Sequence, residues 1–198
     1  MPLFFRKVLI VPYILKDDDI FVLLFHDKKH QEWTLLSGGC KKGEKPFQSG
    51  IRELSEESNA TLCFPKHKTR IHYFRFLTNY VHNTIHKYKE VLTVYHVYLF
   101  PLDEKDIHVL QKKYFSASLQ NDETENIQFF RLDDICFQEN LRIWSFIRDA
   151  CADYIIAFFK RYITTKVRPP PLIKDYDFTK SFHDKRTWYL STKDCLVI

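Results

Sequence analysis

The stretch GGCKKGEKPFQSGIRELSEESNA, residues 38–60, decides how this sequence is interpreted. It places four glutamates, one arginine and several glycines within one predicted loop and one predicted helix. Two kinds of structure would suit such a composition. One is a solvated acidic helix face beside a turn, and the other is a site that holds metal ions and phosphate groups.

The spacing of the charged residues favours a metal site. A helix is predicted from Pro46 to about Ser58, because proline is well tolerated in the first turn of a helix. Glu53, Glu56 and Glu57 then lie on one helix face, at the i, i+3 and i+4 positions where side chains are neighbours. The opposite face is predicted to be apolar and consists of Phe47, Gly50, Ile51, Leu54 and Ser58. Three neighbouring carboxylates repel one another, but they become favourable when a hard divalent cation such as Mg²⁺ or Mn²⁺ lies among them.

Residues around this helix also support a binding site. Arg52 is spaced to pair with Glu56 one turn later, or with Glu44 from the preceding loop, and so could orient the ligands. Glycines allow the loop to turn tightly and allow its backbone to approach a ligand. They are Gly38, Gly39 and Gly43. A solvated acidic face would not require the glycines, Glu44 and Arg52 together.

The same residues resemble the signature motif of the Nudix hydrolases. That motif is a glycine, five residues, a glutamate, seven residues, and then Arg-Glu-apolar-x-Glu-Glu-x-Gly-apolar. Its spacing is matched at Gly38, Glu44, Arg52, Glu53, Leu54, Glu56 and Glu57. Asn59 stands in place of the family's glycine, and asparagine tolerates the left-handed conformation that ends such a helix. Residues 33–38 (WTLLSG) and 127–135 (IQFFRLDDI) are similar to the flanking segments of the family. The resemblance covers roughly residues 5–135.

The resemblance implies a mixed-sheet α/β/α sandwich that cleaves a diphosphate linked to another group, with Mg²⁺ or Mn²⁺ as cofactor. It implies that Glu53, Glu56 and Glu57 hold the metal, with Glu44 in support. Arg52 is expected to orient these carboxylates without touching the metal.

The resemblance also suggests further site residues. A general base in this family is often a glutamate within the motif or one in the loop before the last strand. In this sequence the loop candidates are Glu123 and Glu125, with a preference for Glu123. Contacts with the substrate are expected from Gly38, Gly39, Trp33, Lys41 and Lys42.

The rest of the chain mixes strands and helices without regular alternation, which indicates an α+β class with a mixed sheet. Runs rich in apolar, β-branched and aromatic residues predict strands at 4–15, 19–26, 33–36, 61–64, 71–80, 91–100 and 127–132. Apolar residues recur at helical spacing from about Leu141 to Ile163, as one long helix or two with a break. We therefore expect a Nudix domain at residues 1–138, with a C-terminal helix and aromatic tail at 139–198 packed on the same domain.

Composition excludes several classes of protein. A chain of 198 residues with 45% hydrophobic residues is long and apolar enough for one globular domain. Its five cysteines include no CxxC pair, which argues against a zinc ribbon and a dense disulfide framework. The apolar start contains Arg6 and Lys7 and does not resemble a signal peptide, and no stretch is long enough to span a bilayer. A cytoplasmic protein without membrane contact is expected.

The sequence gives weaker hints about the substrate, and these favour the 5′ cap of mRNA. The net charge is +5, and basic clusters at 66–70, 112–113 and 160–161 could follow an RNA backbone. Aromatic residues could stack on a base; the candidates are Trp33, Tyr73, Phe74 and Tyr80. The Glu-Glu-x-Asn variant of the motif resembles that of poxvirus-type mRNA-decapping enzymes, and the glycine-poor composition would suit a large DNA virus. Free nucleotide derivatives, diphosphoinositol polyphosphates and a non-catalytic binding module remain alternatives.

Overall fold

The computed structural model describes residues 3–65, 71–78, 91–116, 123–163 and 189–190. Its strands are β1 (Leu3–Lys16), β2 (Asp19–Asp27), β3 (Glu32–Thr34), β4 (Leu36–Gly39), β5 (His72–Thr78), β6 (Val91–Pro101), β7 (Thr124–Arg131) and β8 (Tyr189–Leu190). Its α-helices are α1 (Pro46–Glu57), α2 (Ile107–Ser116), α3 (Leu132–Phe137), α4 (Ser145–Ala150) and α5 (Ile156–Phe158). No helix in these ranges is long and apolar enough to cross a bilayer.

The strands form one mixed sheet around β1. β1 pairs in parallel with β6 along most of its length, and antiparallel with β4 at its start and with β2 at its end. The strand order is β3-β2-β1-β6-β5-β8, with β4 also on β1 and β7 on β2. Helices pack on both faces of this sheet, which confirms the predicted α+β class.

Each face of the sheet has its own core, because successive side chains of a strand point to opposite faces. On one face, Val8 and Ile10 of β1 pack with Leu54 of α1 and Leu110 of α2. On the other face, Leu9 and Val11 pack with helices α3, α4 and α5. Because the side chains of β1 alternate between the two faces, helices α1 and α2 pack on one face of the sheet and helices α3, α4 and α5 on the other.

Residues 145–163 form one continuous helical run, the C-terminal helix. It consists of α4, a π-helical segment (Cys151–Ile155), α5 and a second π-helical segment (Phe159–Ile163). Phe146, Ile147 and Phe159 are fully buried against the sheet. The prediction of a helix here is confirmed, while the division into domains at residue 138 stays a prediction. Most of the aromatic tail lies outside the described residues; β8 pairs antiparallel with β5.

Some local predictions were wrong. Residues 61–64 form no strand, because Leu62 and Phe64 pack into the core beside α1 without a neighbouring strand to bond. Ile51 was expected on the apolar face of α1, yet it is 49% exposed. Phe74 was a candidate for stacking on a base, but its ring is buried in the core. Helix α2 was not predicted at all.

Candidate active site

Helix α1 has well-defined ends that fix the direction of its carboxylates. Pro46 occupies its first turn, and the backbone N–H of Lys45 donates to Oε1 of Gln48 at 3.1 Å. Beyond its last turn, Asn59 has a φ of 53°, so the left-handed conformation expected at this position is confirmed. The backbone N–H of Leu62 donates to Oγ of Ser58 at 3.1 Å and holds the exit from the helix.

Arg52 is the centre of a hydrogen-bond network that joins the loop to the helix. Its guanidinium contacts Glu44 at 3.1 Å, Glu53 at 2.7 Å and Glu56 at 3.0 Å, and donates to the carbonyl oxygen of Gly39 at 3.0 Å. The hydrogen bond from Arg52, with another from the backbone N–H of Lys41, lowers the pKa of Glu44 to about 2. Both predicted partners of Arg52 are therefore engaged at once.

The carboxylate of Glu53 lies directly against the backbone of Gly38. A Cβ atom at Gly38 would overlap that carboxylate, so the first glycine of the motif makes room for the second glutamate. Glu53 is buried rather than solvated. Burial raises its pKa, and the hydrogen bond from Arg52 opposes this shift.

Glu57 is the most perturbed carboxylate of the helix. Burial raises its pKa well above the usual range, and the negative charges of Glu53 and Glu123 raise it further. A hydrogen bond from the backbone N–H of Ser37 partly offsets this. Glu56, in contrast, is 57% exposed. The helix thus has an outer carboxylate and two inner ones.

A cleft of about 340 Å³ opens beside Glu57. It is lined by Lys7, Asp27, His30, Glu32, Thr34, Leu35, Ser37, Glu57, Glu123, Thr124 and Trp144. Thr124 joins the cleft to α1 and α2, because its hydroxyl lies 3.3 Å from the carbonyl oxygen of Glu57 and 2.6 Å from the hydroxyl of Tyr114. The end of the motif helix therefore forms one wall of a concave site.

The two loop glutamates have different surroundings. Glu123 lines the cleft and lies within electrostatic reach of Glu53 and Glu57. Glu125 instead lies 2.7 Å from Nδ1 of His26 and outside the cleft lining. Position alone therefore favours Glu123 as the residue that could act on a bound substrate.

The chemistry of the inner carboxylates fits a divalent cation. Within the described ranges, no three His, Cys, Asp or Glu side chains already converge tightly enough to form a closed metal site. Yet the negative charge of Glu123 raises the pKa of both Glu53 and Glu57, and a cation that binds among these carboxylates would relieve this repulsion. The donors are all carboxylate oxygens, which suit Mg²⁺ or Mn²⁺.

The expected substrate contacts are only partly gathered at this cleft. Trp33 is wedged between His26 and Phe130, with ring centroids 4.9 Å apart in each case, and it is absent from the cleft lining. Lys41 and Lys42 are exposed on the loop before α1. Gly38 and Gly39 lie in β4, where Gly38 is next to the carboxylate of Glu53 and the carbonyl oxygen of Gly39 accepts a hydrogen bond from Arg52. Their roles toward a substrate stay predictions.

Of the residues that line the cleft, only Glu57 and Glu123 were candidates from the sequence; Lys7 and Trp144 are two of those that sequence reasoning missed. Lys7, with Arg6 before it, is a charged residue within a mostly apolar strand, which is a signal that could have identified it. Trp144 was assigned to a helix core, but it precedes α4 and its backbone N–H donates to the carbonyl oxygen of Trp33 at 3.0 Å. This bond brings its ring to the cleft beside β3.

Comparisons with known proteins agree with this geometry. The model of a family described as the NUDIX domain matches residues 4–150. No curated protein matches the chain in sequence. Among solved structures, NrtR of Shewanella oneidensis is 17% identical with a TM-score of 0.50, over 78% of this chain and 64% of that one. An Ap4A hydrolase of C. elegans, in a binary complex, is 18% identical with a TM-score of 0.48, over 79% of this chain and 98% of that one.

Proposed function

This chain belongs to the NUDIX family and is a hydrolase of phosphoric anhydrides, and from the residues of its cleft we propose that it removes the 5′ cap of mRNA with the help of Mg²⁺ or Mn²⁺. The observation that carries the proposal is the cleft itself. It is lined by Glu57, an inner carboxylate of α1, and also by the ring of Trp144 and the carboxylates of Asp27 and Glu32. The part of the cleft at Glu57 would hold a diphosphate, and the part at Trp144 a base.

The carboxylates of α1 are proposed to hold the metal. Glu53, Glu56 and Glu57 would be the ligands, with Glu44 in support, and Arg52 keeps three of these four side chains in place through its network. When bound, the metal would neutralise the charge of the diphosphate and lower the pKa of a water molecule. Gly38 leaves the space in which the carboxylate of Glu53 lies.

Glu123 is proposed to take the proton from the attacking water. Its backbone is fixed, because its carbonyl oxygen accepts a 2.9 Å hydrogen bond from the N–H of Lys28. Its side chain lies at the same cleft as Glu57. A general base must come within hydrogen-bond reach of the proton that it removes, and Glu123 meets this condition better than Glu125.

The far wall of the cleft supports a capped substrate. Glu32 and Ser37 are five positions apart in sequence, which allows a span of at most about 16 Å, enough for a nucleoside diphosphate. Trp144 offers a ring there, and Asp27 and Glu32 are carboxylates on the same lining. An N7-methylated guanine is cationic and carries two adjacent N–H donors. Such a base suits an indole ring and carboxylate acceptors better than a neutral base does.

Features outside the cleft support RNA as the remainder of the substrate. Lys112 and Lys113 are exposed on α2, and Lys160 and Arg161 are exposed on the C-terminal helix. The third basic cluster, residues 66–70, lies outside the described residues. Exposed cations can neutralise backbone phosphates, and the motif's similarity to that of poxvirus-type decapping enzymes points the same way.

The test is a substrate screen of the purified protein with Mg²⁺ and with Mn²⁺. The panel contains N7-methylated capped RNA, RNA with an unmethylated cap, the cap dinucleotide, dinucleoside polyphosphates, nucleotide sugars and diphosphoinositol polyphosphates. We expect release of the methylated nucleoside diphosphate from capped RNA, at a higher kcat/KM than for any other compound. Faster hydrolysis of free nucleotides or of diphosphoinositols would refute the cap assignment and leave the family assignment intact.

Two matched variants test the assignment of the metal ligands. Glu57→Gln should remove most activity because it replaces an inner carboxylate, and Glu56→Gln should do so if the outer carboxylate also binds metal. Each is read out by Mn²⁺ titration as well as by turnover, with circular dichroism as a control for folding. Full activity and wild-type Mn²⁺ affinity in both variants would refute the assignment. Binding of capped RNA without hydrolysis by the wild type would indicate a binding module instead.

A further inference from the structure

Lys7 occupies an unusual position in the sheet. It lies in β1, in register with Gly39 of β4 on one side and with Tyr95 of β6 on the other. The four residues that follow it, Val8 to Val11, are fully buried. Burying a lysine beside such a strand is costly unless its ammonium group meets an anion.

Lys7 reaches the cleft from the face of the sheet opposite to α1. It alternates with Val8, whose side chain packs on the α1 side, so Lys7 leaves the strand on the other side. Glu57 comes from α1, yet both side chains line the same cleft. A ligand in this cleft would therefore meet Glu57 from α1 and Lys7 from the other face of the sheet.

The carboxylates of the helix do not fully account for this lysine. Burial lowers the pKa of Lys7, and the negative charges of Glu53 and Glu57 oppose that shift. However, no carboxylate of the described residues lies within 4.0 Å of its nitrogen, whereas Arg52 contacts Glu53 at 2.7 Å. Lys7 is thus near enough for the charges of Glu53 and Glu57 to act on it, and it lines the cleft.

We propose that Lys7 binds a non-bridging oxygen of the substrate's diphosphate, on the side opposite to the carboxylates of α1. A lysine ammonium is a compact point charge that suits a phosphate oxygen. Its backbone is held in the sheet between β4 and β6, so it would present the ammonium group from a fixed point on the cleft wall. This inference rests on the proposed diphosphate substrate, but it assigns a residue that lies outside the signature motif.

The experiment compares Lys7→Met, which keeps the length of the side chain, with Lys7→Gln, Lys7→Arg and the control Lys105→Met. Lys105 is exposed and lies outside the cleft lining. The probe is methylenediphosphonate, a non-hydrolysable diphosphate, titrated by calorimetry in the presence of Mg²⁺. Mn²⁺ alone is titrated separately, and KM and kcat are measured with the preferred substrate of the wild type.

We expect Lys7→Met and Lys7→Gln to weaken methylenediphosphonate binding and raise KM by about tenfold or more, the usual effect of removing a hydrogen bond to a charged group. Lys7→Arg should recover part of this affinity, and Lys105→Met should match the wild type. Mn²⁺ alone should bind each Lys7 variant at least as tightly as the wild type. Lys7→Met and Lys7→Gln remove a positive charge near the carboxylates, and Lys7→Arg keeps it.

Two results would overturn the role of Lys7. One is wild-type affinity for methylenediphosphonate in Lys7→Met and Lys7→Gln. The other is an equal loss of Mn²⁺ binding, which would mean that Lys7 only organises the carboxylates. Both leave the proposed function standing if the wild type hydrolyses its substrate. A wild type that hydrolyses no diphosphate in the panel would overturn the proposed function, and with it the inference.

Discussion

Substituting alanine for Gly38 should damage the site without a change in any charged residue. The added Cβ atom would occupy the space of the Glu53 carboxylate. Real Cβ atoms essentially never lie within 3.0 Å of a heavy atom from a residue elsewhere in the chain. Glu53 must therefore swing away and break its 2.7 Å ion pair with Arg52. Gly39→Ala is a matched control, because a Cβ atom there meets nothing within 4 Å.

The size of the effect follows from this broken ion pair. A partly buried, charge-assisted hydrogen bond contributes about 1.5–3 kcal/mol, and Arg52 keeps its ion pairs with Glu44 and Glu56. The free energy of unfolding should therefore fall by about 1–3 kcal/mol in Gly38→Ala. For a domain of this size, each kcal/mol corresponds to about 2–4 °C in Tm. Affinity for Mn²⁺ should fall by about 10- to 100-fold, the usual range when the orientation of a metal ligand is disturbed.

Two measurements decide the outcome: thermal unfolding in EDTA, and Mn²⁺ titration of the folded protein. Gly39→Ala should resemble the wild type in both. The double variant Gly38→Ala, Glu53→Asp should regain part of the stability, because the shorter side chain relieves the overlap, but it should not regain metal affinity. Wild-type stability and Mn²⁺ affinity in Gly38→Ala would show that the carboxylate of Glu53 does not depend on the absence of a side chain at this position.

Three further predictions concern the surrounding charges. Arg52→Ala should lower the free energy of unfolding by about 2–4 kcal/mol, because it leaves partly buried carboxylates without this partner. Arg52→Lys should recover only part of that stability. Urea denaturation measures both variants. In metal-free protein, the raised pKa of Glu57 means that the native state holds a proton that the unfolded state releases. The stability gained from this proton is complete below the ordinary pKa of glutamate. It is lost as the pH rises through the raised pKa of the native state. Thermal unfolding in EDTA from pH 4.5 upward should show this decrease, Glu57→Gln should flatten it, and an unchanged slope would contradict it. If capped RNA is the substrate, its affinity should fall steeply as the salt concentration rises. Charge reversal at Lys112 and Lys113 should reduce the slope of log affinity against log salt by about one unit for each phosphate that is no longer neutralised. Hydrolysis of the cap dinucleotide should not change.

The sequence was sufficient for the parts of the fold that depend on local patterns. Pro46 and Asn59 mark the two ends of helix α1, because each has a restricted backbone preference that acts within one turn. The strand predictions at 4–15 and 91–100 agree with β1 and β6, where long apolar runs left little choice. The pairing of Arg52 with Glu44 and Glu56 was also predicted from spacing along one helix and its loop, whereas its contacts with Glu53 and with the carbonyl oxygen of Gly39 were not.

Longer-range features could not be predicted in this way. Ile51 belongs to the apolar face by periodicity, but it is exposed because α1 contacts the sheet through a narrower stripe that includes Glu53. The segment at 61–64 has the composition of a strand, but strand formation also requires a free neighbouring strand. Lys7 and Trp144 lie more than a hundred residues apart in sequence, and only the sheet and the loop before α4 bring them to one cleft.

The C-terminal helix extends the packed core of this protein beyond the segment that the family model matches. The family match ends at residue 150, in the middle of a helical run that continues to Ile163. Beyond that point, the fully buried Cys151, Ile155 and Phe159 complete the core on one face of the sheet. Mutations in this segment are therefore expected to be constrained by packing rather than by the shared chemistry.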